Sequence, residues 1–370
     1  MKSLQKRGVG AAVLAAALAL AAYGYSQVPA AGKPSKPVPV DHKAFQTRPI
    51  QLGVSGGNAT DSANGYCCSG TLGALVTDGT TQYILSNTHV FAHDMTDGDE
   101  DGVAEVGDDI NQPGLVDSSC TPNTDYVVAH LSDWAPLDDT ANVDAAIAEV
   151  VGGAVHSDGA ILEIGTIAAT PVPAFIKQKV KKSGRTTGLT SSSVTAINVM
   201  IDVGYDTECH GATFTKTFYG QILVQNRSYK FLAPGDSGSL MVQNVATNPA
   251  AVGLLFAGSN RVAVANPIGA VLAYLTVQMV SPPGAGAPST DADDAPPRSE
   301  VARAKRAQER HGNVFLKIPR AVGHGIGLDG GRVVIKVFVE EITDEARRAV
   351  PDSVDGVPVV LEAVGRIIAF

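Results

Sequence analysis

Three residues in three separate contexts, Ser237, His89 and Asp144, can together turn a hydroxyl into a nucleophile. Ser237 stands in Ala233-Pro234-Gly235-Asp236-Ser237-Gly238-Ser239. Glycine on both sides permits backbone angles that other residues resist and leaves N–H groups free to converge on one point, as an oxyanion hole requires. A serine hydroxyl is weak at its own pKa and needs a base, and the base needs an orienting acid. His89 follows the apolar run Tyr83-Ile84-Leu85-Ser86-Asn87-Thr88, where a rigid strand can hold it. His42, His311 and His324 lie outside the β-rich region, while His93, His130, His156 and His210 sit in acidic, strand-end or polar-turn contexts. Asp144 is set in Asn142-Val143-Asp144-Ala145-Ala146-Ile147-Ala148, and a carboxylate in an apolar run is costly unless something accepts its charge. Asp125 and Asp133 stand beside other polar residues. Each of the three also has an ordinary reading: a surface turn, a buried structural histidine and a turn aspartate.

The elements that must position these residues are short strands. The chain has 370 residues, 44% of them apolar, with few aromatics and many Gly, Ala, Val and Thr. From residue 48 to 280, short apolar runs alternate with turn residues; Thr71–Val76 and Gln82–Ser86 flank Asp78-Gly79, a hairpin signal. Helical periodicity is confined to Ala270–Gln278, a closing helix. The pattern predicts a mainly β region of two successive modules of similar size. Residues 281–297 are a Pro/Gly/Ala/Asp-rich linker. Residues 298–370 predict a small α+β accessory domain: a helix Arg298–Arg310 stopped by Gly312, strands Ala321–Leu328 and Val333–Val339 around Asp329-Gly330-Gly331, a helix Thr343–Ala349, and strands in Val357–Leu361 and Arg366–Phe370.

A basic start and a short apolar run from Val9 to Ala22 describe a signal peptide over residues 1–26, followed by a Pro-rich tether over 27–47. The expectation is an exported protein, secreted or periplasmic, with no stable membrane span after signal cleavage. Cys67, Cys68, Cys120 and Cys209 then suggest disulfides, one from each of the neighbours Cys67 and Cys68 to Cys120 and Cys209 in an order the sequence leaves open; free buried thiols are the other reading. The net charge of −9 argues against nucleic acid as a partner. Asp97, Asp99, Asp101 and Asp108 match the spacing of a calcium loop, although an acidic surface loop of this kind is most often merely solvated. Lys181, Lys182 and Arg185 read as a solvated basic spot.

Leu85-Ser86-Asn87-Thr88-His89-Val90, Val143-Asp144-Ala145-Ala146-Ile147-Ala148 and Gly235-Asp236-Ser237-Gly238-Ser239, in that order, resemble the trypsin/chymotrypsin-like serine peptidases. More narrowly they resemble the bacterial and plant branch that includes the narrow-leaf type, with which Cys67–Gly73, Gln112–Asp117 and Gly184–Thr190 also agree. The resemblance covers about residues 48 to 277. Chain order excludes an α/β-hydrolase, whose acid and histidine follow the serine.

The resemblance implies two six-stranded-type, chymotrypsin-like β-barrels, with His89 and Asp144 from the first and Ser237 from the second. It implies an oxyanion hole from the N–H groups of Gly235 and Ser237, and peptide hydrolysis through an acyl-enzyme that requires no cofactor. By position, Phe231 lies at the base of the substrate pocket and Phe256-Ala257-Gly258 form its wall, which favours an apolar or small residue before the scissile bond. Two departures stand out: Ser239 replaces the usual final glycine, and no cysteine flanks His89 or Gly235. The C-terminal module resembles a small domain found beside this branch, often ahead of it, through Val322–Gly327 and Asp355–Val359. An intramolecular contact between the two is expected. The function expected is therefore a serine endopeptidase acting on polypeptides; a peptidase-fold binding protein with little turnover and a self-processing protein are the alternatives.

Overall fold

Asp78-Gly79 turns the chain back on itself as the hairpin signal predicts, pairing Ala74–Thr77 with Gln82–Ser86 in the register Thr77↔Gln82. Asp78 Oδ1 stabilises the turn by accepting the N–H groups of Thr80 and Thr81, both at 2.8 Å. The computed structural model describes residues 40–92, 104–282 and 295–370. The expected signal peptide, tether residues 27–39, His93, the acidic Asp97, Asp99 and Asp101, and linker residues 283–294 lie outside the described residues.

The fold is mainly β. The first sheet has eight strands, in the order Gln278–Met279, Ala74–Thr77, Gln82–Ser86, Ala146–Val150, Val127–Trp134, Asp109–Asn111, Val54–Asn58 and Gly70–Leu72. Its edge strand Gln278–Met279 returns from beyond the second half of the chain to pair with Ala74–Thr77. The second sheet has eleven strands and runs from Lys179–Lys182 through Leu240–Gln243, Ala251–Gly258, Val262–Pro267, Thr213–Gln225 and Thr190–Asp206 into Ala321–Asp329, Arg332–Val339 and Val357–Ala363.

The join is the 17-residue strand Thr190–Asp206. One edge pairs with Thr213–Gln225 and the other with Ala321–Asp329 through Ala196↔Gly327 and Ile201↔Gly323. The C-terminal segment thus extends the second sheet, because pairing satisfies an edge of backbone N–H and C=O groups that would otherwise face solvent. Short Ile368–Ala369 pairs both with Thr190–Asp206 and with Ala251–Gly258.

Helix ends differ from the sequence expectation. The closing helix spans Ile268–Tyr274. The helix from Arg298 does not stop at Gly312 but continues to Phe315, which is fully buried. Gly312 is tolerated inside it because a side chain there would crowd His324, whose Nε2 lies 3.2 Å from the position a Cβ would take. Thr343 caps Asp344–Ala349 by accepting the N–H of Ala346 at 3.1 Å.

The first sheet folds over a core of Leu52, Leu72, Ile84, Leu85 and Ile147, to which Leu240, Leu254 and Val271 from the second half contribute. Phe218, Phe256 and Val264 centre one core of the second half, and Phe315, Ile326, Ile335 and Val337 hold the C-terminal segment to its helices. Among the described residues no helix is long and apolar enough to cross a membrane.

Candidate active site

His89 and Asp144 are brought together by strand register. Ser86 pairs with Ala146 at one end of the Gln82–Ser86/Ala146–Val150 ladder, so the chain leaving the first strand meets the chain entering the second. His89 sits in the short helix Thr88–Phe91, directly past that point. Thr88 Oγ1 faces the carbonyls of Ala135 at 2.7 Å and Ala145 at 3.1 Å, and Asn87 Nδ2 donates to Asp144 O at 2.7 Å. Asn266 Nδ2 donates to the same carbonyl at 3.2 Å. The two loops are therefore tied by side chain to backbone bonds on both sides of the pair.

Asp144 is fully buried. Its Oδ2 lies 2.5 Å from His89 Nδ1, and its Oδ1 accepts the His89 N–H at 3.3 Å. Tyr205, from the long Thr190–Asp206 strand, donates its hydroxyl to Asp144 Oδ2 at 2.9 Å. Burial pushes the Tyr205 hydroxyl well above its ordinary range, and the Asp144 charge adds to this, so it remains a donor. Burial opposes a charged imidazole at His89. The Asp144 charge and hydrogen bond, with the Phe370 carbonyl, outweigh burial and raise its pKa above the usual histidine value.

Ser237 lies in the Ala233–Ser239 turn, closed by Asp236 N–H to Ala233 O at 2.9 Å and Ser239 N–H to Asp236 O at 3.0 Å. Ser239 Oγ donates to Asp236 O at 2.5 Å, so its hydroxyl closes the turn from within. Gly238 has φ +90°, and a side chain on it would lie 2.2 Å from Ser86 Oγ; only glycine fits. The first half of the chain clamps this turn through Thr71, whose N–H donates to Ser237 O at 2.8 Å and whose Oγ1 donates to Gly235 O at 2.9 Å. Among the described residues, the N–H groups of Gly235 and Ser237 have no protein acceptor. Ser237 Oγ donates to Phe256 O at 3.0 Å.

Of the basic spot read as solvated, Lys181 is left partly exposed, its Nζ donating to Val245 O at 2.8 Å; Lys182 and Arg185 are held inside. Lys182 is fully buried, with Nζ 3.3 Å from Asp236 Oδ2 and a bond to Gly188 O at 2.9 Å. Asp236, also fully buried, further accepts the N–H groups of Thr186 (2.8 Å), Thr187 (3.1 Å) and Ala233 (3.0 Å). Burial lowers the Lys182 pKa, and Asp236 offsets part of that. Arg185 forms a bidentate pair with Asp117 at 2.6 and 2.8 Å. Both pairs hold the Ala233–Ser239 turn against its neighbours; the Lys182–Asp236 pair is fully buried and the Arg185–Asp117 pair nearly so.

The disulfides are Cys67–Cys120 and Cys68–Cys209. They border a cavity of about 580 Å³, also lined by His89, Tyr205, Arg185, Gly235 and Phe370. Phe231 and Phe256 are buried, and Ala257 and Gly258 form the strand end that pairs with Ala369 and Ile368. The Phe370 carbonyl oxygen lies 3.3 Å from His89 Nε2. A second cavity, about 400 Å³ and lined by residues such as Pro171, Ile197 and Val252, has no titratable or nucleophilic side chain in its wall. Of the calcium set only Asp108 is described, and its Oδ2 accepts from Asn58 Nδ2 at 3.0 Å and Glu105 N–H at 2.9 Å.

Solved structures similar to this chain include a glutamic acid specific serine protease (18% identity, TM-score 0.42, covering 62% of this chain and 100% of that one). Thermobifida fusca Protease A is similar at 17% identity and TM-score 0.41, covering 63% of this chain and 99% of its own. Nocardiopsis protease is similar at 14% identity and TM-score 0.41, with the same coverage. No family model and no curated protein matches the chain. Similarity of this degree brings no chemistry with it, so function is read from the geometry above.

Proposed function

We propose that this chain is an exported, chymotrypsin-like serine endopeptidase that cleaves polypeptides through Ser237, His89 and Asp144. The observation that carries the reading is the buried Asp144 carboxylate, 2.5 Å from His89 Nδ1, on loops that meet a serine turn clamped by Thr71. Neutral His89 takes the Ser237 proton as the hydroxyl attacks a carbonyl. Asp144 keeps the other ring nitrogen protonated and stabilises the imidazolium that forms. The N–H groups of Gly235 and Ser237, without protein acceptors among the described residues, are suited to the oxyanion. His89 then protonates the leaving amine, and water repeats the sequence on the acyl-enzyme.

Both His89 nitrogens face acceptors, Asp144 Oδ2 and Phe370 O, and the single Ser237 proton is directed at Phe256 O. Catalysis requires an unprotonated Nε2 on His89 and a Ser237 hydroxyl that donates to it. Two disulfides support export to an oxidising compartment. Pairing of Ala321–Asp329 with the strand that carries Tyr205 supports a working contact between the C-terminal module and the site. A structural calcium ion at Asp97, Asp99, Asp101 and Asp108 is a separate proposal, tested by chelation during thermal unfolding.

The test is hydrolysis of a diverse peptide library by the full chain and by Ser237→Ala. A loss on the order of 10⁴-fold or more in Ser237→Ala supports the proposal. Equal hydrolysis by the two proteins, or none by the wild type, overturns it.

A further inference from the structure

The last residues of the chain run through the candidate cleft. Val364 O accepts from Ser259 Oγ at 2.5 Å, Ala363 O accepts from Arg261 Nη1 at 3.1 Å, and Ile367 O accepts from Gly204 N–H at 3.0 Å. Past these anchors the segment lies between two strands, parallel to one through Gly204↔Ile368 and antiparallel to the other through Gly258↔Ile368 and Ala257↔Ala369. It ends with the Phe370 carbonyl oxygen 3.3 Å from His89 Nε2. An extended, strand-paired course of this kind is one way a peptide presents its acyl half to a serine–histidine pair. Backbone pairing fixes the depth of insertion, and one side chain in a pocket reads the sequence.

The Phe370 side chain meets an apolar wall. Its Cε2 lies 3.3 Å from the position a Cβ on Gly258 would take, and its ring centroid is 5.9 Å from that of Tyr229. It packs against the buried cluster that contains Phe231, Leu232, Val224 and Ala263. None of these residues carries a charge, so burying Lys, Arg, Asp or Glu there would leave the charge unpaired.

We propose that Ile368-Ala369-Phe370 lies along the course a substrate's acyl half takes and fills its side-chain pocket, with the Phe370 oxygen on His89 Nε2 and not on the Gly235 and Ser237 N–H groups. The site would thus cleave after a large aromatic residue such as Phe, and this segment competes with substrate for the cleft. The proposal rests on the reading of Ser237, His89 and Asp144 as a peptidase triad. It narrows the apolar-or-small preference expected from Phe231 and Phe256–Gly258 to a large apolar side chain.

The experiment compares the full chain with Phe370→Asp in two readouts: the rate of labelling by a fluorophosphonate, and hydrolysis of acetyl-Ile-Ala-X-p-nitroanilides with X as Phe, Ala, Lys or Glu. Phe370→Asp should label about tenfold faster or more, because an aspartate cannot settle in the apolar wall. The Phe substrate should exceed the Lys and Glu substrates by about 100-fold. The free hexapeptide Gly-Arg-Ile-Ile-Ala-Phe should slow Phe370→Asp again, and the same peptide ending in Asp should not; a variant that had merely unfolded would show neither effect. Equal labelling by both proteins, with substrate still hydrolysed, overturns the resident segment and leaves the triad standing. Hydrolysis without preference for Phe overturns the proposed selection. Failure of both proteins to label or hydrolyse anything removes the triad reading and this proposal with it.

Discussion

The Tyr205 hydroxyl and His89 Nδ1 meet on the same oxygen, Asp144 Oδ2, at 2.9 and 2.5 Å. A buried carboxylate is thereby held from two directions, by the ring it orients and by a phenol from a strand of the other sheet. Tyr205→Phe removes one donor without changing packing volume. The carboxylate then puts more of its charge on His89, whose pKa rises further, while its orientation loosens. We expect kcat/KM to fall by roughly 3- to 30-fold and the acidic limb of its pH profile to move to higher pH. An unshifted limb would assign Tyr205 to packing alone.

The raised pKa of His89 has a definite sign in both activity and stability. In the proposed mechanism neutral His89 is the base, so activity should rise with pH through a midpoint above the usual 6.5. The stabilising His89–Asp144 ion pair acts the other way: its contribution is fully present below 6.5 and is lost as pH rises through the folded-state pKa. Deleting residues 365–370 removes the Phe370 carbonyl, which raises the pKa, together with part of the burial, which lowers it, so the direction in which the activity midpoint moves shows which of the two is larger. Fluorophosphonate labelling rates across pH read this directly.

His324 gives the opposite dependence. Burial lowers its pKa to about 4, and Gln308 Nε2 donates to its Nδ1 at 2.8 Å, which requires the neutral ring. The unfolded chain binds a proton there near 6.5 and the folded chain does not. Stability is full above 6.5 and falls as pH drops toward 4, by up to about 3 kcal/mol. His324→Asn keeps an acceptor for Gln308 and should flatten the urea midpoint over that window; an unchanged acid slope would contradict the assignment.

Lys182 and Asp236 are a buried pair behind the Ala233–Ser239 turn, 3.3 Å apart. Lys182→Met leaves Asp236 without its cation and should cost about 3–5 kcal/mol in urea unfolding. Asp236→Asn in the same chain should return part of it. If the single variant is as stable as the wild type, the N–H groups of Thr186, Thr187 and Ala233 and the Thr187 hydroxyl, which donates to Asp236 Oδ2 at 2.6 Å, suffice without the lysine.

The two disulfides differ in span, 53 residues for Cys67–Cys120 and 141 for Cys68–Cys209. Chain entropy makes the longer loop worth about 0.9 kcal/mol more. Paired Cys→Ala variants compared by urea midpoint should rank in that order.

How much of this was legible before the structure follows from the range over which each feature is encoded. The Asp78-Gly79 hairpin and the Ser237 turn are written in consecutive residues. His89 and Asp144 stand out because a polar group in an apolar run is locally conspicuous. Tyr205 has no such mark: it lies 61 residues from Asp144, on the far side of the cleft, and only the meeting of the two sheets gives its hydroxyl a partner. Lys182 reads as surface beside Lys181, since burial of one neighbour and not the other depends on strand alternation and on Asp236 far along the chain. The approach of Phe370 to His89 spans 281 residues, and the strand that carries it was expected within a separate module.

The central claim is that Ser237 is the nucleophile that His89 activates. Its most direct measurement is mass spectrometry of the full chain after fluorophosphonate treatment, with the adduct mapped to its residue. The account predicts one adduct, on Ser237, absent in Ser237→Ala and formed faster as pH rises through the His89 pKa. An adduct on another serine, or no adduct on a chain that hydrolyses peptides, would contradict it.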